Sequence, residues 1–152
     1  MSLKSVLSAR YPLDCQVLFE VIIENCLALD KENHLNASSS SKVTQSILEK
    51  LLALGFKFLL INAKDNSSIT DVSQIKSLQT LDASGNCGIN QAGINGLNLN
   101  TLYASRNSKI TDVSFMTNLQ YLYAAYECGI NRKGIKELAL VLIDTKGNKN
   151  FE

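Results

Sequence analysis

Three stretches decide the fold, because they superimpose without a gap: LQTLDASGN from Leu78 to Asn86, LNTLYASRN from Leu99 to Asn107, and LQYLYAAYE from Leu119 to Glu127. Weaker copies flank them, FLLINAKDN from Phe58 to Asn66 and LVLIDTKGN from Leu140 to Asn148. The copies start at positions 58, 78, 99, 119 and 140. A fixed period of about 20 residues marks a stacked repeat array. The segments between the copies alternate. NSSITDVSQI (Asn66 to Ile75) returns as NSKITDVSFM (Asn107 to Met116), and CGINQAGI (Cys87 to Ile94) returns as CGINRKGI (Cys128 to Ile135), so the full unit is a 41-residue pair of turns.

Numbered from the first residue of each copy, positions 4 and 6 share one face of an extended segment, while positions 3, 5 and 7 face the other way. Each copy therefore supplies one short strand, and stacked copies build a parallel sheet. Ile69, Ile89, Ile110 and Ile130, at position 12, pack inward from the return limb. Asn at position 9 turns the chain and uses its side-chain amide to satisfy buried backbone groups at the corner. Glu127 replaces it in the fourth copy, which predicts local irregularity there. Thr70, Asp71 and Ser73, matched by Thr111, Asp112 and Ser114, read as turn and helix-start caps rather than as catalytic groups.

Apolar residues at positions 1, 4 and 6 with Asn at 9 resemble the leucine-rich repeat. The ITDVS phrase followed by an apolar pair is similar to the return segment of bacterial internalin-type repeats, and the CGIN and DVSFM phrases resemble repeat proteins of large amoeba-infecting DNA viruses. The family usually carries a larger aliphatic residue at position 6, where this chain has Ala63, Ala83, Ala104, Ala124 and Thr145, so a thinner core is expected. The resemblance implies an α/β fold: a leucine-rich-repeat solenoid over residues 58–152, with a parallel sheet of about five strands and five turns.

Residues 1–57 do not repeat and read as a helical N-terminal cap covering the end of the solenoid core. From Asp14 to Leu29, Leu18, Ile22, Cys26 and Leu29 form one apolar stripe and Phe19, Ile23 and Leu27 another, so this helix needs cover on more than one side. A second helix, about Val43 to Leu54, presents Ile47, Leu51 and Leu54 with Leu48 and Leu52, and Gly55 is its C-terminal stop. Between them the polar, Ser-rich run Lys31 to Lys42 reads as a loop with His34 solvated. The run YPLDCQVLFEVI (Tyr11 to Ile22) resembles the start of an F-box, although Tyr11-Pro12-Leu13 departs from the usual Leu-Pro order and no Trp is present. That resemblance implies an adapter role for the N-terminal helices.

Composition narrows the chemistry. At 152 residues the chain fits one domain, and 15 Lys and Arg against 14 Asp and Glu leave a net charge of +1, without the electrostatic footprint of a nucleic-acid binder. A single His argues against His-based zinc sites and relays. No stretch reaches the roughly 18 consecutive apolar residues of a membrane span. The run MSLKSVLSARYPLDC lacks the apolar core of a secretory signal, so the expected address is the cytoplasm, the host cytoplasm if the source is viral. Cys87 and Cys128 lie two turns apart, about 9 to 10 Å at the strand spacing, and Cys15 and Cys26 lie about 16 Å apart along one helix. Both separations exceed the roughly 7 Å a disulfide spans. All four cysteines read as small apolar residues in a reducing compartment, where the sequons at Asn36 and Asn66 carry no glycan.

No phosphate loop, nucleophile elbow or Cys-His dyad is present, and no cofactor is implied. The carboxylates Asp82 and Asp144, both at position 5, stand about 14 Å apart over three strand spacings, beyond the roughly 5 to 9.5 Å of glycosidase pairs. A non-enzyme is expected. What remains is the outward row of strand residues, an extended binding surface in stacked-repeat folds. Four of the five tyrosines, Tyr103, Tyr121, Tyr123 and Tyr126, collect there on adjacent turns, with Arg106 beside them. Tyr and Arg are enriched at interface hot spots; cross-strand aromatic packing for its own sake is the competing reading. Five strands of roughly seven residues give a face of about 550 Å², against about 800 Å² per partner in a standard interface. The expected function is protein binding through this face, the candidate contacts being the four tyrosines, Arg106, Asp82 and Asp144. The alternatives are the F-box-like adapter and a structural module that self-associates through the edge strand at Leu140 to Lys146.

Overall fold

The computed structural model describes residues 33–39, 43–53 and 55–152. The helix expected over Asp14 to Leu29, the F-box-like run, Cys15 and Cys26 lie outside the described residues. Within them, strands β1 (His34–Asn36), β2 (Leu60–Asn62), β3 (Thr80–Asp82), β4 (Thr101–Tyr103), β5 (Tyr121–Tyr123) and β6 (Leu142–Asp144) pair in parallel, each with the next in sequence. A chain that returns after every strand to lay down the adjacent one is a solenoid. The register is unbroken: Leu35, Ile61, Leu81, Leu102, Leu122 and Ile143 form one column. The first five of these are fully buried, whereas Ile143 is 40% exposed. Behind them, Ala37, Ala63, Ala83, Ala104 and Ala124 and the four isoleucines of position 12 are buried, so the interior rows lie where the period of two puts them.

Six strands replace the expected five. The additional one, β1, lies within Lys31 to Lys42, which composition marks as a loop. Leu35 and Ala37 enter the buried columns despite their polar neighbours, and Leu59 N–H donates to the Asn33 carbonyl (3.0 Å) while Ala37 N–H donates to that of Asn62 (2.7 Å). His34 is accordingly a half-buried strand residue rather than a solvated loop residue.

Between β1 and β2 the return limb is helix α1 (Gln45–Ala53), slightly shorter than the expected Val43 to Leu54. The Thr44 hydroxyl accepts from Ile47 N–H (3.4 Å), the position of an N-cap. At the other end, Gly55 N–H bonds to Leu52 O (2.9 Å) and Phe56 N–H to Leu51 O (3.1 Å), with Gly55 at φ 87°, the paired pattern of a Schellman stop. Leu48 and Leu51 are buried and Ile47 and Leu52 pack against them. The return limbs after β3 and β5 use single 3₁₀ turns instead, at Ala92–Ile94 and Lys133–Ile135.

The corners after the strands come in two kinds. Asn66, Asn107 and Asn148 are buried, and each amide donates to two carbonyls of the preceding turn. Asn107 Nδ2 reaches Ala83 O (2.8 Å) and Ile89 O (3.0 Å), and its Oδ1 accepts from Lys109 N–H (3.0 Å). Asn66 bonds in the same way to Ala37 O and Val43 O, and Asn148 to Ala124 O and Ile130 O. Asn86 and Glu127, at the same position in the alternate turns, are both exposed. There Cys87 and Cys128 turn inward instead, and Gly88 and Gly129 donate their N–H to Asn66 O (2.9 Å) and Asn107 O (3.1 Å). The irregularity expected at Glu127 is therefore absent: it matches Asn86, one double repeat earlier, in a regular alternation.

Candidate functional site on the outward sheet face

With the interior rows turned inward, the residues on either side of them in each strand, half-buried except for the exposed Asn36 and Leu142, form two outward rows. One row holds His34, Leu60, Thr80, Thr101, Tyr121 and Leu142; the other holds Asn36, Asn62, Asp82, Tyr103, Tyr123 and Asp144. In the second row the Tyr103 and Tyr123 rings stack, with centroids 4.4 Å apart and planes 9° from parallel. Asp82 pairs in register with Tyr103 on one side and Asp144 with Tyr123 on the other. Burial, the neighbouring Tyr123 phenol and the Asp82 carboxylate all push the Tyr103 hydroxyl above the ordinary tyrosine pKa.

The remaining candidates separate from this stack. Tyr121 stands in the other row, between Thr101 and Leu142. Arg106 and Tyr126 occupy position 8, where the chain leaves the strand in the left-handed region: Asp65, Gly85, Arg106, Tyr126 and Gly147 all have φ between 56° and 68°. Glycine adopts that conformation at least cost, and non-glycine residues there carry modest strain. The Arg106 guanidinium lies 4.7 Å from the Tyr126 ring centroid, a cation–π contact at the rim of the face. Asp82 and Asp144 are not brought together, since two strands bearing Tyr103 and Tyr123 lie between them.

The sheet also carries residues that composition hides. His34 and Asn36 extend both rows by a sixth strand, which raises the face to about 670 Å² on the same strand dimensions. Their signal was the trio Leu35-Asn36-Ala37, a near copy of Ile61-Asn62-Ala63. Gln45 and Gln91 clamp the next return limb. Gln91 Oε1 accepts from Thr111 and Asp112 N–H (both 2.9 Å) while Nε2 donates to Asp112 O (2.8 Å), and Gln45 treats Thr70 and Asp71 in the same way. Asp71 and Asp112 accept from the N–H of Ser73 and Ser114, so the Thr-Asp-Ser phrases serve as turns.

Burial raises the thiol pKa of Cys87 and Cys128, both free, which keeps them protonated and unreactive. Among the described residues no three His, Cys, Asp or Glu side chains converge as a metal site would require, and no helix is long and apolar enough to cross a membrane. Every buried side-chain polar atom among them has a hydrogen-bond partner. Compared with family models, curated proteins and solved structures, the chain matches none of them.

Proposed function

We propose that this chain is a non-enzymatic solenoid of the leucine-rich-repeat type, with β1 and α1 forming one of its turns, that captures a protein partner on its outward, tyrosine-bearing sheet face in the cytoplasm without a cofactor. One observation carries the reading. The interior obeys the two-turn period, with Asn corners alternating with Cys corners, while position 5 runs Asn62, Asp82, Tyr103, Tyr123, Asp144 and ignores it. A residue that the repeat needs for folding recurs with the repeat; the tyrosines of this row do not, nor does the charge of its aspartates, which close a turn that Asn closes elsewhere in the row. Flat aromatic side chains held by a rigid sheet suit recognition, because they give large contact area with few rotatable bonds to order.

The test is recovery of partners from the protein's own cells by the wild-type chain and by a Tyr103→Ala/Tyr123→Ala variant. Loss of a reproducible partner by a folded variant is the expected result; unchanged recovery with intact folding removes the face as the site.

A second reading rests on β6, where Val141 is 68% exposed and Leu142 and Ile143 about 40%. A strand edge with apolar side chains beside it pairs readily with another strand, so association through this edge accounts for its composition as a structural module would. Light scattering over a concentration series separates the two, since only the second reading predicts growth of the purified chain without a partner.

A further inference from the structure

From the row Asp82, Tyr103, Tyr123, Asp144 we infer the chemistry of the partner: an extended polypeptide segment crossing the strands, with Arg or Lys at positions i and i+4. This rests on the outward face being the recognition surface and specifies what that surface selects.

The first ground is a charge that the fold does not need. At position 5, Asn36 and Asn62 each use Oδ1 to accept the N–H two residues on, from Ser38 (3.2 Å) and Lys64 (3.1 Å). Asp82 and Asp144 make the same turn with Oδ1, from Ser84 (3.0 Å) and Lys146 (3.0 Å), and the Ser84 hydroxyl also bonds to Asp82 Oδ1. An amide closes this turn as well as a carboxylate, so the negative charge at 82 and 144 is surplus to it. Among the described residues the second carboxylate oxygen of each has no hydrogen bond, and neither carboxylate has an ion pair. Within these two rows, apart from His34 and the tyrosines, the aspartates are the only titratable groups; the lysines Lys64 and Lys146 stand two residues further on, at position 7.

The second ground is the placement of the rings. Stacking consumes one face of Tyr103 and one of Tyr123. In register, the other face of Tyr103 lies toward Asp82 and the other face of Tyr123 toward Asp144. Each end of the row therefore joins a ring face to a carboxylate, a combination that suits a guanidinium or ammonium group through cation–π attraction and charge pairing together. The same chain already shows an arginine on a tyrosine at the rim, Arg106 on Tyr126.

Spacing then sets the motif. Asp82 and Asp144 are about 14 Å apart across three strand intervals. In an extended segment, alternate side chains face the same way, and residues i and i+4 are about 13 Å apart while i and i+2 are only about 7 Å apart. Two basic residues four apart thus reach both ends of the row at once.

The experiment titrates the full chain with labelled peptides carrying two arginines at i and i+2, i and i+4, or i and i+6 in a Gly-Ser background, and with a Glu version of the second. Backbone amide shifts report where each peptide binds. Binding of the i, i+4 peptide on β3 to β6, about tenfold tighter than the i, i+2 and Glu peptides, is expected from two partly exposed charge pairs. Asp82→Asn/Asp144→Asn keeps both turns and is expected to abolish that preference. Equal binding of the Glu peptide, or an unchanged preference in the double Asn variant, overturns the inference. Should no peptide bind while Tyr103→Ala/Tyr123→Ala still loses its cellular partner, the basic motif is wrong and the face stands as the site. Should that tyrosine variant keep its partners, both fall.

Discussion

The two kinds of turn in this solenoid share a strand and differ in how they close it. After β2, β4 and β6 a buried asparagine spends its amide on two carbonyls of the previous turn, whereas after β3 and β5 a cysteine fills the corner and a glycine N–H reaches back to the asparagine's own carbonyl. From β2 to β6 the two kinds alternate and each closes on the turn before it, which is why the sequence repeats with every second turn although a strand recurs in every turn. Against this coupled interior, the outward row has no period in its residue types: Asn and Asp close the turn after their strands, while Tyr103 and Tyr123 close none and are free to serve recognition.

The largest effect expected from breaking the alternation is at the polar corner. Asn107→Ala strands the Ala83 and Ile89 carbonyls and is expected to cost about 3 kcal/mol in denaturant unfolding. Next comes the close approach between turns: a Cβ on Gly93 collides with the Thr70 carbonyl oxygen, backbone that has little room to move, so Gly93→Ala is expected to lower stability by about 2 kcal/mol in the same assay. Gln91→Leu removes four bonds to the Thr111-Asp112 limb at a partly solvated site, and a loss of about 1 kcal/mol should follow. Asn86→Ala sharpens the comparison from the other side. Its exposed side chain occupies the asparagine position in the wrong kind of turn, so the change should stay within about 0.5 kcal/mol.

The outward row has its own pH signature. Because the Tyr103 pKa is raised on folding, the folded state holds that proton where the unfolded chain releases it. The stability this contributes is complete below the ordinary tyrosine value of about 10 and is lost as pH rises through the folded value. Tyr123→Phe removes the neighbouring phenol's charge and hydrogen bond, so the Tyr103 phenolate should form at lower pH, as read by ultraviolet titration. An unchanged curve would show that the stack does not set this pKa.

Much of this architecture is legible before any coordinates. A period of about 20 residues fixed β2 through β6, their order and the sides they present, because a one-residue slip would expose the whole buried column. β1 was hidden for two reasons. Only Leu35 and Ala37 mark it within a polar run, and α1 lengthens the step from Leu35 to Ile61 beyond the period of the later turns. The corner asparagines were half legible, since aligning single turns places Asn86 and Asn66 in one column and only the double repeat separates them. In the site, register alone brings Tyr103 to Tyr123 and flanks them with Asp82 and Asp144. It does not foretell that Tyr126 turns to Arg106 at the left-handed residue, because that contact depends on where the chain leaves the strand rather than on the pleat.

Separation of folding duty from recognition duty is the central claim, and one paired measurement reaches it directly: the unfolding free energies of Asn107→Ala and of Tyr103→Ala/Tyr123→Ala under identical conditions. A loss of about 3 kcal/mol for the first and about 1 kcal/mol for the second, the scale of a stacked aromatic pair, is the predicted result. Equal losses would make the tyrosine stack a structural member of the solenoid and contradict the account.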